Sequence, residues 1–332
     1  MKYWIIILVS IIACNSTHNH STTLVHNVGF AQGTSYSIKY MSADGQDYHL
    51  QIDSIFAEID NSLSTYLPSS LISQLNAGDT SLYLDTHFVR VFKASQQVSA
   101  TSSGLFDCTV APLVQSWGFG TSNPQELDSL VIVELLKKVG YQDVSLKGDS
   151  LISNPQLKTL DFNAIAQGYT VDVIAEFFDS LYLTDYLIEV GGELRAKGLN
   201  SRDKKWRVGI DKPSNEIDKN DRFQIILNLN DKSLATSGNY RKFYKKDGQI
   251  YAHTINPKTA YPVQHSLLSA TVIADNCMMA DAYATTFMVM GVKQTQEFLK
   301  TQEGLEVFLI YTDEDNRWQN WSTEGFESLK VN

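Results

Sequence analysis

Cysteine and positive charge are both scarce in this 332-residue chain, and each shortage removes a class of function. The three cysteines, Cys14, Cys108 and Cys277, form no CxxC pair and no His-rich cluster, which excludes zinc-ribbon and thioredoxin-like sites. Lys and Arg number 27 against 37 Asp and Glu, a formal net charge of −10 with no surplus to neutralise phosphates. Nucleic acid is therefore excluded as a main partner, whereas a small anionic ligand needs only a local site. No fixed-period repeat occurs, and no low-complexity segment follows the N-terminal region, so solenoid and linker-rich architectures are out. What is present is ordinary globular composition, 43% apolar and 19% charged, long enough for a sizeable core.

The N-terminus speaks to location. "MKYWIIILVSIIACNS" carries one early Lys, an apolar stretch from Trp4 to Ala13, and then Cys14. That stretch is too short to span a bilayer and fits a secretory signal. Ile11-Ile12-Ala13-Cys14 resembles a lipobox, in which the Cys is lipidated and becomes the new N-terminus; the other reading is a plain signal peptide with an incidental Cys. Residues 1–14 are thus expected to be a signal, 15–24 a polar tether, and 25–332 one domain without a clean internal boundary. Cys108 and Cys277 read as small buried hydrophobes.

Periodicity lays out the elements. Residues 25–41 alternate as an opening strand, and 50–64, 86–100, 125–139 and 166–182 have helical spacing. Residues 144–154 read as a hairpin around Gly148-Asp149, and 186–198 as a strand broken by Gly191-Gly192. Further strands are expected at 206–211, 223–230, 250–255, 267–274 and 305–311. Strands in consecutive runs, rather than strict βα alternation, predict an α+β fold with largely antiparallel sheets packed with helices.

Five segments place small or polar residues where packing alone does not ask for them. "DFNAIAQGYTVD" (161–172) reads as a strand ending near Asp161, a polar turn, and a helix entered through Gly168. Such a turn either binds an anion on backbone N–H groups, offers carbonyls to a cation, or is a plain turn capped by Asp161. "EVGGELRAKG" (189–198) marks a bulge or a close backbone approach to a ligand. "ATSGNYRKFY" (235–244) reads as a turn at Ser237-Gly238-Asn239, with Arg241 either reaching a phosphate or merely exposed. "HTINPKTAYPV" (253–263) has His253 followed by two proline turns. In "NCMMADAYATTFMVMGV" (276–292), Asp281 is the only formal charge. With Asp275 or Asn276 as cap, Asp281 lies in the second turn, and Thr285 stacks on the same face. A carboxylate and a hydroxyl are hard oxygen ligands suited to Mg²⁺. The alternative is an Asp281 that faces solvent or pairs with Arg, beside a Thr285 that bonds its own helix.

Together and in this order, these segments resemble the ApbE family of FAD:protein FMN transferases. "GTSYSIKY", "DNSLSTYLPSSLISQLN" and "FDCTVAPLVQSWGFG" extend the likeness, which runs from about residue 29 to the C-terminus. The resemblance implies a T-fold-related α+β architecture and an Mg²⁺-dependent reaction. In it, a Thr or Ser hydroxyl of an acceptor redox protein attacks the FMN phosphorus of FAD, and AMP leaves. It implies an Mg²⁺ site on Asp281, Thr285 and the Ala164 carbonyl. FAD contacts fall on Gln32, Tyr66, Leu105, Phe106, Asp107, Asp161, Gln167 and Ile255, with Tyr66 stacking on the isoalloxazine ring. His253 is implied to help deprotonate the acceptor, and with Asp281 makes up the catalytic pair. Lipoprotein relatives agree with a lipid on Cys14, a membrane anchor and a periplasm-facing place in the cell envelope. The chain departs from the family pattern at Gln32 (often Met), Asn163 (often Gly), Gln167 (usually Lys or Glu) and Asn256 (usually Asp). Ala284 stands where some members have a further Asp. Two other readings use the same site: an FAD pyrophosphatase giving FMN and AMP, and a non-enzymatic flavin-binding lipoprotein.

Overall fold

The computed structural model describes residues 22–79, 81–119, 127–148, 150–153, 158–212, 222–239, 243–246, 249–252 and 254–331. Its centre is an eight-stranded sheet in which every neighbouring pair is antiparallel. The strands are β1 (Thr23–Ala31), β2 (Thr34–Ser42), β3 (Tyr186–Val190), β4 (Glu193–Lys197), β5 (Lys232–Gly238), β6 (Leu267–Ala274), β7 (Glu306–Thr312) and β8 (Trp318–Ser322). They lie side by side in chain order, so the sheet is a meander into which other elements are inserted. Four longer helices are α1 (His49–Leu63), α2 (Thr86–Thr101), α3 (Ala166–Ser180) and α4 (Cys277–Leu299). The α+β, antiparallel expectation holds.

Alternation decides which face meets the helices. Tyr36, Ile38 and Tyr40 of β2 and Tyr186, Ile188 and Val190 of β3 point to one side and pack on Ile52, Phe56, Ile174 and Phe178 of α1 and α3. β6 is buried along nearly its whole length on both faces, as its unbroken "LLSATVIA" demands. Below it, Trp206, Val208 and Ile210 from a hairpin at 206–211 and 223–229, with Phe326, cover Ala196, Ile273 and Phe308. Burying a large apolar side chain contributes about 1.5–3 kcal/mol, so this two-sided packing makes the middle of the sheet the stable platform for what sits above it.

Several expectations are corrected. The opening strand is two strands, β1 and β2, joined at Gln32-Gly33, whose φ values of 53° and 73° form a two-residue turn of the kind hairpins favour. Likewise Gly191 and Gly192 (φ 64° and 112°) turn β3 into β4, so they are a hairpin corner rather than a bulge in one strand. Ser237 and Gly238 belong to β5, paired with Ala270 and Ser269, not to a turn. Among the described residues no strand leads to Asp161, since 158–162 are irregular; its N–H donates to the Cys108 carbonyl in a single tie. The strand expected through Ile255 ends at Ala252, and Ile255 makes only an isolated bridge to Pro262. The helix expected at 125–139 is shorter, Ser129–Leu136, capped by Asp128; residues 125 and 126 lie outside the described residues. Strands β5 and β8 and short helices at Leu71–Asn76 and Ala111–Ser116 were not foreseen. Cys108 and Cys277 are buried free thiols. Cys14, Arg241 and His253 lie outside the described residues.

Helix α4 carries one internal break. Gly291 has φ 74° and ψ 177°, and a Cβ there would lie 3.0 Å from the His265 ring. His265 fastens the turn before the break: its Nε2–H donates to the Met288 carbonyl (2.9 Å), and its Nδ1 accepts from Leu267 N–H (3.3 Å). Burial holds its pKa below 6.5, so the neutral ring is the folded form. The unfolded chain therefore takes up a proton first as pH falls below 6.5, and the stability held by His265 is lost in that range. The stability difference between wild type and His265→Gln should shrink from pH 7.5 to pH 5 in urea unfolding; a constant difference would contradict this.

Candidate active site

Helix α4 begins beneath two capping side chains that accept three N–H groups. Asn276 accepts the Met279 N–H through Oδ1 (2.9 Å), the usual N-cap bond. Asp172, from α3, accepts the N–H groups of Cys277 (2.8 Å) and Met278 (2.8 Å), one on each carboxylate oxygen. A carboxylate at a helix N-terminus meets unsatisfied donors and the positive end of the dipole. Burial still raises Asp172, to about 6, against the lowering by those two donors.

One turn further on, α3 and α4 come closer than side chains normally allow. A Cβ on Gly168 would lie 2.4 Å from the Cys277 carbonyl oxygen and 2.8 Å from Asp281 Cβ. With no Cβ there, the Gly168 N–H reaches Asp281 and donates to Oδ2 at 3.0 Å. In a longer helix that N–H would bond to the carbonyl of Ala164, four residues back. Asp281 is 6% exposed and, among the described residues, has no Lys or Arg partner. Burial pushes its pKa up and the Asp172 charge adds to this, while the Gly168 bond opposes it. Thr285 bonds the Ser237 hydroxyl of β5 at 3.0 Å, whereas its neighbour Thr286 is the one that bonds back to its own helix, at Ala282. The solvent-facing, Arg-paired alternative for Asp281 is therefore excluded.

The corners of the sheet converge on this point. A Cβ on Gly191 would lie 2.2 Å from Gln167 Nε2 and 2.8 Å from Thr34, so the β3–β4 turn, β2 and the start of α3 meet here. Gln32, in the β1–β2 turn, donates to Thr170 Oγ1 of α3 (2.9 Å), and its Oε1 is buried without a partner. Gln32 also bonds Asp60 of α1, a carboxylate that burial pushes upward. Glu193 opens β4 beside the same turn, 7% exposed. A cluster of buried carboxylate, hydroxyl and carbonyl oxygens with excess negative charge is what a divalent magnesium ion takes. Asp281, Thr285 and Ala164 fit that ion by donor type and by the lack of a basic side chain at Asp281. No group of three His, Cys, Asp or Glu with metal-binding geometry exists among the described residues, so any such ion also relies on hydroxyl, carbonyl or ligand oxygens.

The other expected residues fall into two groups. Tyr66 is 66% exposed, on a loop whose Thr65 Oγ1 contacts Asn163 Nδ2 (3.5 Å), next to the 161–165 turn. Asn76 clamps the same region, exchanging two hydrogen bonds with the Leu160 backbone. Asp161, tied to Cys108, accepts Asn163 N–H (2.7 Å). Leu105 and Phe106 point into the core, so only their backbone is placed to meet a ligand. Asp107 is fully engaged by Thr109 and the Tyr141 N–H. It borders a cavity of about 470 Å³ whose opposite wall is Pro257 and Lys258, just beyond Ile255. Ile255 itself is buried against Leu113, Ile132 and Ala260. Sequence reasoning missed Asp172, Glu193, Ser237 and Asp60 as members of this region.

The family model "ApbE family" matches residues 32–309. The chain belongs to the ApbE family. A "FAD:protein FMN transferase" of Vibrio cholerae is 31% identical over 322 residues, 95% of each chain. One from Haemophilus influenzae is 31% identical over 336 residues, 97% of this chain and 94% of the other. The solved structure "Flavin Transferase ApbE from Vibrio cholerae" superposes with a TM-score of 0.82 at 31% identity, covering 93% of this chain and 99% of that one. The α+β meander described above is thus the architecture of solved ApbE structures.

For this ApbE family chain, Gly168 is the residue on which the α3–α4 approach depends. A Gly→Ala change within a helix ordinarily gains about 1 kcal/mol. Here the new methyl meets backbone that no rotamer change relieves, and Gly168→Ala should instead destabilise by about 2 kcal/mol or more. Urea unfolding checks the sign; a stabilised variant would mean the helices part freely.

Proposed function

We propose that the chain is an FAD:protein FMN transferase that moves FMN from FAD to a Thr or Ser hydroxyl of an acceptor redox protein. The observation that carries the reading is Asp281: a carboxylate buried without a basic partner, oriented by Gly168 N–H and set one turn from Thr285. Membership of a family whose similar members carry that activity in their names supports it. In the reaction, the acceptor oxygen forms a new P–O bond to the FMN phosphorus. The P–O bond to the AMP moiety breaks, and the hydroxyl proton passes to a base.

Each residue then has a task. Asp281, Thr285 and the Ala164 carbonyl would hold a magnesium ion, which when bound neutralises pyrophosphate charge and favours AMP departure. Gly168 fixes the Asp281 rotamer so that one carboxylate oxygen remains for the ion. Tyr66, exposed on its loop, offers a ring face to the isoalloxazine. Gln32 and Gln167 would border the flavin at the two hairpin turns, Gln32 as a residue whose amide is held in place by Thr170. His253, on the segment leading to Thr254, takes the acceptor proton, since imidazole titrates near neutral pH. Positioning and charge neutralisation supply most of the rate in such transfers.

We further propose that residues 1–14 are a lipoprotein signal, with Cys14 lipidated. The tether expected at 15–24 is shortened at its end, because Thr23 and Leu24 already belong to β1; it would hold the domain close to a membrane and facing the periplasm. No helix among the described residues is long and apolar enough to cross a membrane.

Incubating the protein with FAD, Mg²⁺ and a Thr-bearing acceptor should leave fluorescent flavin on the acceptor after denaturing electrophoresis. FMN and AMP free in solution, with the acceptor unlabelled, would replace transfer by hydrolysis; bound FAD without turnover would leave a binder. Asp281→Ala should abolish the Mg²⁺-dependent labelling, and unchanged labelling would sink the metal assignment. Tyr66→Ala should weaken FAD binding about tenfold by fluorescence titration, the worth of one aromatic stack. An unaltered affinity would remove Tyr66 from the flavin site.

A further inference from the structure

Two glutamates flank the Gly191–Gly192 turn, and they are solved differently. Glu189 Oε1 accepts the Gly192 N–H at 2.9 Å, so the turn itself satisfies it. Glu193 is more deeply buried, 7% exposed, and its Oε2 has no hydrogen-bond partner among the described residues. No salt bridge to it exists among them either. Arg195 is two residues along β4, on the same face by strand alternation. Its guanidinium is already given to the Asp275 carbonyl, the Ser233 hydroxyl and the Tyr186 ring hydroxyl.

The neighbouring carboxylates sharpen the contrast. Asp172 spends both oxygens on the first N–H groups of α4, and Asp281 spends Oδ2 on Gly168. Glu193 lies within the field of Asp281, whose charge adds to burial in raising its pKa well above the usual carboxylate range. Burial itself, then Asp172, and then both of these charges raise the pKa of the buried Cys277 thiol. A buried carboxylate with an unpaired oxygen, facing another carboxylate and no basic side chain, is neutralised either by a proton or by a cation, and only a cation also satisfies Asp281 beside it.

We infer that Glu193 is a second carboxylate of the divalent-cation site, presented from β4 across from Asp281. This rests on the reading of Asp281, Thr285 and Ala164 as the ion's holders. Two carboxylates from separate elements give a Mg²⁺ or Mn²⁺ ion a net neutral first environment, which a single carboxylate does not. They also make β4 and α4 parts of one site: the ion pulls together a strand and a helix that would otherwise repel through their acids. The turn that delivers Glu193 is the same one that packs on Gln167, so the cation side and the flavin side share a corner of the sheet.

The test is cation binding to the full chain in the absence of FAD, with Mn²⁺ as the probe, followed by the loss of the free-ion paramagnetic resonance signal. Glu193→Gln keeps size and loses charge; it should weaken Mn²⁺ binding at least tenfold while melting no lower than wild type without the ion. Asp281→Asn should weaken binding by at least as much. If Asp281→Asn loses the ion and Glu193→Gln binds it as wild type does, Glu193 is a buried protonated acid and the inference is overturned. If both variants bind as wild type, the cation reading of Asp281 itself fails. Should Glu193→Gln not fold, the wild-type protein carries the test through its infrared difference spectrum on Mg²⁺ addition. Bands from two carboxylates changing together are expected, and a change in one alone overturns the inference.

Discussion

One contact organises this molecule: the Gly168 N–H donated to Asp281 across the crossing of α3 and α4. It exists because residue 168 has no side chain, so two helices meet at a separation that brings a backbone donor of one to a carboxylate of the other. Removing Asp281 from water without a basic partner is unfavourable by several kcal/mol. A single backbone hydrogen bond offsets only part of that. The remainder is carried by the packing around it, with α4 laid on β5 and β6 and those strands covered again from below. The site is a region of stored electrostatic demand set on the best-packed part of the sheet.

The same demand explains why so many turns meet there. A chain can hold an under-neutralised carboxylate only where neighbouring elements fix it from several sides. The β1–β2 turn contributes Gln32, the β3–β4 turn contributes the close approach at Gly191, and the start of α3 contributes Gln167. Both turns use left-handed backbone, and at Gln32 that is adopted by a residue other than glycine, at some cost. The Gln32 amide is then held by Thr170 and Asp60, which ties α1, α3 and the first hairpin to one point. The groups proposed to bind flavin and cation thereby become consequences of one packing arrangement, rather than separate additions to it.

Local chemistry was legible in the sequence; partnership across the fold was not. The i, i+4 relation of Asp281 and Thr285, the Asn276 cap and a helix expected at 166–182, which ends two residues earlier at Ser180, follow from spacing, because a helix imposes its own neighbours. The antiparallel class followed from runs of strands. The order of eight strands, the role of Ser237 as partner of Thr285 and the burial of Glu193 depend on contacts between residues tens of positions apart. Gln32-Gly33 hid in an alternating pattern because a two-residue turn preserves the alternation on both sides. Gly191-Gly192 was misread for a related reason: paired glycines serve a bulge and a hairpin corner alike, and only the antiparallel register of Val190 with Glu193 distinguishes them. The family resemblance supplied the roles that spacing left open, and it named neither Glu193 nor Asp172.

Asp281, oriented by Gly168, is proposed to hold a divalent cation at the junction of α3 and α4. Anomalous diffraction from crystals grown with Mn²⁺ and FAD tests it most directly. A manganese peak in contact with the Asp281 carboxylate, the Thr285 hydroxyl and the Ala164 carbonyl is the predicted result. A fully ordered site without manganese there, or with the ion bound only elsewhere, would contradict it.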